Sequence, residues 1–401
     1  MLGVSVSLKF LILNADYHQF LRSLYAQHPG LEHEPYGKQM RVRNESLFGV
    51  ADFYSSNLRK LGHEAYDVHS NNEFMQKAWA REHGIPVAET MLPIRKLRGS
   101  LRRVWRFAGD TAFRNLLSVL ARPLRSLGSK PPWFHDILRE QIKYYAPDVL
   151  LNQAMDVVGS EFLREMKPHI ELLVGQHAAI PLSGHGDWGC YDLVISSFPP
   201  TVHWFREKGI PAETHRLGFE PKVLSRLKGD GKIFDVTFIG SFYKVHSSRI
   251  ALMENLCGQF GQTRVWGPTV DHLPSGSAIR KCYVRQAWGK EMYQILRNSK
   301  ITLNHHGDVG PYANNLRLYE ATGVGTLLIT DWKVNLHEMF EPGKEVVAYR
   351  TPEECAQLVE YYLKHDEERE AIAHDGQERT LREHTFYQRM QELVAILDRY
   401  S

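Results

Sequence analysis

The sequence predicts an α/β protein built from two doubly wound domains, and three observations carry that prediction. Short apolar stretches alternate with amphipathic ones through all 401 residues, the signature of parallel strands joined by helices. The composition, 43% hydrophobic and 24% charged, is that of an ordinary globular chain whose length suits two such domains. Around Lys222 to Lys232 the chain turns polar and glycine-rich, which marks a boundary between two rounds of the same pattern. The expected division is 1–220, 221–385, and a final helix over 386–401 placed to pack back on the first domain.

In the first half the apolar runs Lys9 to Asn14, Glu64 to His69, Asp148 to Asn152, Glu171 to Gly175, Leu193 to Ser197 and Glu213 to Leu217 read as strands. Ser46 to Leu61 places Leu47, Val50, Ala51, Tyr54, Leu58 and Leu61 at helical spacing, and Gly62 stops it as a left-handed cap would. In the second half, strands are expected at Asp235 to Ile239, Thr263 to Trp266, Lys300 to Asn304 and Thr326 to Thr330. Helices are expected at Ser247 to Phe260, Lys290 to Asn298, Asn314 to Thr322, Pro352 to Lys364, Glu367 to Thr380 and Tyr387 to Arg399.

No apolar run approaches the ~20 residues of a membrane-spanning helix. Val4 to Leu13 contains Lys9 and is followed by no small-residue cleavage site, so it reads as a first strand and a cytoplasmic enzyme is expected. Cys190, Cys257, Cys282 and Cys355 make none of the close pairs of zinc or redox sites and read as buried free thiols. Net charge is only +3, but Arg95 to Lys130 carries ten Lys or Arg against the single acid Asp110. There Leu97, Leu101, Val104, Trp105 and Ala108 follow helical spacing, with Arg98, Arg102, Arg103 and Arg106 largely elsewhere, until Pro123 ends the pattern. Such a stretch suits an anionic membrane surface, which would make the protein peripheral on the inner face of the membrane. Packing of the stripe on the domain, with solvated arginines or an anionic acceptor, is the equal alternative.

The strongest local signal is Tyr312-Ala-Asn-Asn-Leu-Arg-Leu-Tyr-Glu-Ala-Thr-Gly-Val-Gly-Thr-Leu-Leu-Ile-Thr-Asp331, a turn feeding a helix that ends in glycines before a buried strand. At a helix start the amides of Asn314, Asn315 and Leu316 are free to meet an anion such as a diphosphate. Glu320, more than a turn further in, can accept both hydroxyl hydrogens of a ribose. The plain alternative is a solvated glutamate on an amphipathic helix.

This stretch, with Asn335-Leu-His-Glu-Met-Phe-Glu-Pro-Gly-Lys-Glu-Val-Val-Ala-Tyr349, Thr351-Pro-Glu-Glu and Gly376-Gln-Glu-Arg-Thr-Leu-Arg-Glu-His-Thr385, resembles the C-terminal domain of CgeB-like (spore maturation protein-like) glycosyltransferases. The resemblance covers about Asp235 to Leu397 and, more loosely, Ser46 to Gly84. It implies the GT-B architecture, two Rossmann-like domains facing a cleft. The implied enzyme is a hexosyltransferase-like and retaining one, moving sugar from a UDP-, GDP- or dTDP-linked donor to a glycan, lipid-linked or protein hydroxyl. Glu320 falls where the larger retaining group places a ribose-binding glutamate. Eight residues earlier that group carries a second glutamate, and here stands Tyr312.

Further candidates follow strand ends, where open α/β sheets bind ligands. Gly240 and Ser241 admit a ligand close to backbone, and Lys244 and Arg249 offer charge to a departing diphosphate. Trp266 is placed to pack against a base, and His305 and His306 to meet diphosphate or sugar. With no carboxylate or histidine at ligand spacing near these two, neither a metal nor another cofactor is expected. In the first domain His177 is the preferred base, because imidazole titrates near neutral pH, and Asp16 competes for the role. Two other classes fit the residues: a nucleotide-sugar epimerase or isomerase of the same fold, and a non-enzymatic protein binding anionic surfaces through its arginines. Nucleic acid is not an expected partner, and no Gly-x-Gly-x-x-Gly follows either first strand as NAD-dependent chemistry would require.

Overall fold

The computed structural model describes residues 7–87, 130–178, 187–229, 231–243, 246–308 and 310–400. The basic stretch from Arg95 through Ser129, with Pro123, and the candidate Lys244 lie outside the described residues.

Two six-stranded sheets organise the chain, every neighbouring pair of strands being parallel. The first holds β1 (Lys9–Asn14), β2 (Glu64–His69), β3 (Val149–Asn152), β4 (Leu172–Gln176), β5 (Leu193–Ser196) and β6 (Ala212–Thr214), in the order β2-β1-β3-β4-β5-β6. The second holds β7 (Phe234–Ile239), β8 (Thr263–Trp266), β9 (Tyr283–Arg285), β10 (Ser299–Asn304), β11 (Leu327–Asp331) and β12 (Val347–Tyr349), in the order β12-β11-β10-β7-β8-β9.

Successive side chains of a strand face opposite ways, so a sheet covered on both sides needs apolar residues at every position. In the first sheet Phe10, Ile12, Leu151, Val174 and Ile195 join the core on one face, while Leu11, Leu13, Leu150, Leu173 and Val194 join a separate core on the other. Each such buried side chain contributes about 1.5–3 kcal/mol relative to exposure. The three-residue edge strands β9 and β12 were not anticipated, being too short to show a period.

The helix expected over Ser46 to Leu61 forms only as Phe53–Lys60. Before it the chain turns tightly, with Leu47 and Ala51 at φ 58° and 42°, left-handed values that side chains resist. Contact with the second domain overrides the helical pattern. The Lys290 amide donates to the Ser46 carbonyl at 2.7 Å, and a Cβ on Gly289, at φ +52°, would stand 2.0 Å from that oxygen. Gly62 ends the shortened helix at φ 92°, the left-handed cap its sequence suggests.

Two stretches of chain cross between the sheets side by side. The Phe219 amide donates to the His384 carbonyl at 2.8 Å, the Phe386 amide donates to the Phe219 carbonyl at 2.9 Å, and Phe219 and Thr385 form a parallel bridge. Gly218 makes the approach possible, since a Cβ there would lie 2.9 Å from the His384 carbonyl oxygen. Beyond the crossing, Thr385 and Gln388 form a capping box that starts the helix Phe386–Leu397. Its Phe386 ring lies 5.3 Å from Phe53 and 5.5 Å from Tyr54, so this last helix packs on the first domain.

Candidate functional site

Strand order reverses once in each sheet, between β1 and β3 in the first and between β7 and β10 in the second. Ligands of open α/β sheets bind outside the carboxyl ends of the strands at such a reversal. Here both reversals open onto one cavity of about 960 Å³ between the sheets. Asp16 after β1, Gln153 after β3 and Gln176 with His177 at the end of β4 line its first-domain wall. Gly240 and Ser241 after β7, Gly267 after β8, His305 after β10, and Asn315 to Arg317 with Glu320 line the other.

Glu320 belongs to the helix Arg317–Gly323 and is 6% exposed, with Arg317 Nη1 2.9 Å from its Oε2. Burial pushes its carboxyl above the ordinary value, and the Arg317 guanidinium pulls the other way. Arg249 braces two loops, donating through Nη1 to the Ser241 carbonyl at 3.0 Å and through Nη2 to the His305 carbonyl at 2.8 Å. Burial lowers its pKa, and its Nε meets no partner among the described residues. The His305 ring sits between the Ser248 hydroxyl at 2.8 Å and the Tyr349 hydroxyl at 2.9 Å, and burial depresses its pKa, which favours the neutral ring. The loops after β7 and β8 meet backbone to backbone. A Cβ on Gly267 would fall 2.1 Å from the Gly240 carbonyl oxygen, so only glycine fits there.

Across the cavity Asp16 is committed to its own domain. Arg43 reaches it with Nη2 at 2.5 Å and Nε at 3.3 Å, and His69 Nδ1 lies 3.1 Å away. Burial alone would raise its pKa, but Arg43 and His69 outweigh burial and hold the carboxyl below the usual range.

The structure thus gathers Asp16, His177, Gly240, Ser241, Arg249, His305, Asn315, Leu316 and Glu320 around one space. Three other candidates lie elsewhere. Trp266 is 3% exposed and packs edge-on against Phe234 with centroids 5.2 Å apart, because the last residue of β8 faces the core. His306, also 3% exposed, turns opposite to its neighbour and bonds Asp331 through Nδ1 at 2.7 Å. Asn314 precedes the helix, which begins at Arg317 rather than Asn314, and lines a second cavity of about 280 Å³. Its side chain ties the domains, accepting from Ser197 Oγ and donating to the Ala178 carbonyl, each at 2.5 Å. Sequence reasoning passed over Arg317 and Arg43. The three-residue spacing of Arg317 and Glu320 was a usable signal, whereas nothing local links Arg43 to Asp16. Among the described residues, His374, Asp375 and Glu378 cluster at metal-ligand spacing, and none of them lines the cavity.

Two parallel α/β sheets facing a shared cleft define the GT-B architecture. Residues 249–395 match a family model described as Glycosyl transferase-like. Among solved structures it is similar over 99% of both chains to a glycosyltransferase from Rickettsia africae, at 10% identity and TM-score 0.56. It is similar to Anabaena Alr3699/HepE, solved with UDP and glucose, over 98% of this chain and 99% of that one, at 12% identity and TM-score 0.55. The N-terminal domain of trehalose-6-phosphate phosphatase from Candida albicans is similar over 99% and 98%, at 11% identity and TM-score 0.54. A search of curated proteins found no match.

Proposed function

We propose that the second-domain wall holds a nucleotide-sugar donor and that the sugar passes to a hydroxyl acceptor on the first-domain wall. The observation that carries this reading is Glu320, a carboxylate buried at the cleft and fixed by Arg317, suited to accept both ribose hydroxyl hydrogens. Arg249, with Lys244 five residues before it in the chain, supplies charge for the departing diphosphate. His177 is the base: Asp16 gains little by taking a proton while Arg43 and His69 hold it ionised. The resemblance to CgeB-like enzymes favours a hexosyl donor and retention. The UDP and glucose bound by the similar Anabaena protein favour a UDP-linked donor. Among the described residues no helix is long and apolar enough to cross a membrane.

The test is a thermal-shift panel of UDP-, GDP-, dTDP- and CMP-sugars on the native protein and on Glu320→Ala. One nucleotide class should stabilise the native protein, and the variant should bind it at least about tenfold more weakly, a loss of about 1.4 kcal/mol. Equal shifts for both proteins would remove Glu320 from the site. Conversion of the donor with no acceptor present would replace transfer by isomerisation.

A further inference from the structure

We propose that His305 takes up a proton when a nucleotide diphosphate enters the cleft, and that the imidazolium so formed balances the charge of the leaving group. The inference rests on the donor reading above and assigns the source of one of its positive charges.

The hydrogens around the ring can be counted, since a hydroxyl has only one to donate. Tyr349 spends its own on the Asn304 carbonyl at 3.0 Å, and burial pushes its pKa up, so the hydroxyl stays protonated and meets His305 as an acceptor. His305 Nδ1, 2.9 Å away, therefore carries the hydrogen of that bond. On the other side of the ring Ser248 Oγ lies 2.8 Å from Nε2 and also bonds Asp308 Oδ1. Burial alone would raise the Asp308 pKa, but hydrogen bonds from the Ser248 hydroxyl, from the Ser248 amide at 3.2 Å and from the Ser247 hydroxyl at 3.3 Å outweigh it and keep the carboxylate ionised. A carboxylate holds the one Ser248 hydrogen more strongly than a neutral ring does, because a charge-assisted bond is about twice as strong. With neutral imidazole, Nε2 then faces the Ser248 oxygen with no hydrogen between them. The cluster is one proton short, and a proton on Nε2 completes it.

Charge decides when that proton is held. Among the described residues Asp308 and Asp331, the latter with Oδ2 3.8 Å from Nδ1, favour it, while Arg249, Lys333 and His246 oppose it. In the empty cleft burial tips the balance toward the neutral ring. The residue lines the cavity with 16% of its side chain exposed, and Arg249 donates to its carbonyl at 2.8 Å. A diphosphate drawn to Arg249 brings negative charge beside the ring, and opposite charge at close range raises the pKa of an imidazole. Solvent supplies the proton on binding and takes it back on release, and no bond of the donor is made or broken by it. Ser248 and Asp308 act through the ring, as positioning residues.

The test titrates the full chain with UDP, GDP and dTDP in a calorimeter, in PIPES, HEPES and Tris at one neutral pH. The dependence of the binding heat on the buffer's own ionisation heat counts the protons taken up. The native protein should take up more than His305→Gln, a comparison that subtracts protonation of the nucleotide itself. A pKa raised by binding gives affinity that grows as pH falls and is lost as pH rises through the bound value. The affinity advantage over His305→Gln should therefore grow at least about threefold from about pH 8.5 to about pH 6.5. Asp308→Asn leaves the ring in place but frees the Ser248 hydrogen for Nε2, so it should abolish the extra uptake, and Asp308→Glu should restore it. Asp308 is exposed, so neither change threatens folding. Equal uptake by the native protein and His305→Gln, or extra uptake that survives Asp308→Asn, would overturn the inference and leave the donor reading standing. No binding of any of the three nucleotides would overturn the donor reading and this inference with it.

Discussion

Asp16 shows how one residue's environment settles its chemistry. Its side chain is buried against Arg43, and a buried pair broken on one side costs far more than the intact pair contributes. Asp16→Asn should therefore destabilise the protein by about 3–5 kcal/mol in urea unfolding, because the Arg43 charge is left buried and unmatched. The sign of its pH dependence follows from a pKa lower folded than unfolded. Its stabilisation is complete above about pH 4 and drains away as pH falls toward the folded value. None of this was legible locally, since Asp16 sits in the loop after β1, Arg43 on the helix Tyr36–Glu45 and His69 at the end of β2. That Glu320 lies on a helix beside a strand end was legible from its pattern, but a solvated glutamate on an amphipathic helix fits the same residues, and its burial at the cleft shows only in the fold.

At the scale of elements, the loops after β7 and β8 depend on one missing methyl group. Gly267→Ala would drive a Cβ to within 2.1 Å of the Gly240 carbonyl oxygen, which belongs to backbone and cannot swing aside. The loops should part, lowering nucleotide affinity by at least about tenfold while the far-ultraviolet circular dichroism stays native. A variant with native affinity would show that the two loops do not act together on the ligand. Strand bounds were readable both where a strand is buried on both faces, as in β1, and where exposed and buried residues alternate, as in β2 with Glu64 and Tyr66 outward and β8 with Arg264 outward. The Ser46 loop was not readable. Its residues keep helical spacing, and only a partner 243 positions later, Gly289, imposes the turn. Trp266 and His306 show the limit at strand ends, where adjacent side chains part to opposite faces and sequence alone does not say which one meets the cleft.

Over the whole molecule, the double fold was visible because the alternation of apolar and amphipathic segments repeats on either side of one polar stretch. The arrangement of the domains was not, as it depends on contacts such as Asn314 with Ser197. Two buried histidines near the crossing segments make that arrangement sensitive to acid. His215 donates through Nε2 to the Arg389 carbonyl at 3.0 Å, and His384 donates through Nε2 to the Met339 carbonyl at 2.8 Å. Burial pushes both rings down to about 4. The unfolded chain binds these protons more readily, so their contribution is complete above about pH 6.5 and is lost as pH falls toward 4. Melting temperature should drop through that window, and a His215→Gln, His384→Gln double variant should flatten the slope. An unchanged slope would place the acid sensitivity elsewhere.

The paired crossing at Phe219 and Thr385 has a mechanical consequence. A single connecting segment would let one half of the molecule swivel freely about its own bonds. Two segments bridged by a pair of amide hydrogen bonds oppose torsion and leave flexing as the easy degree of freedom, so the halves can open like a book while the two walls of the cleft stay in register.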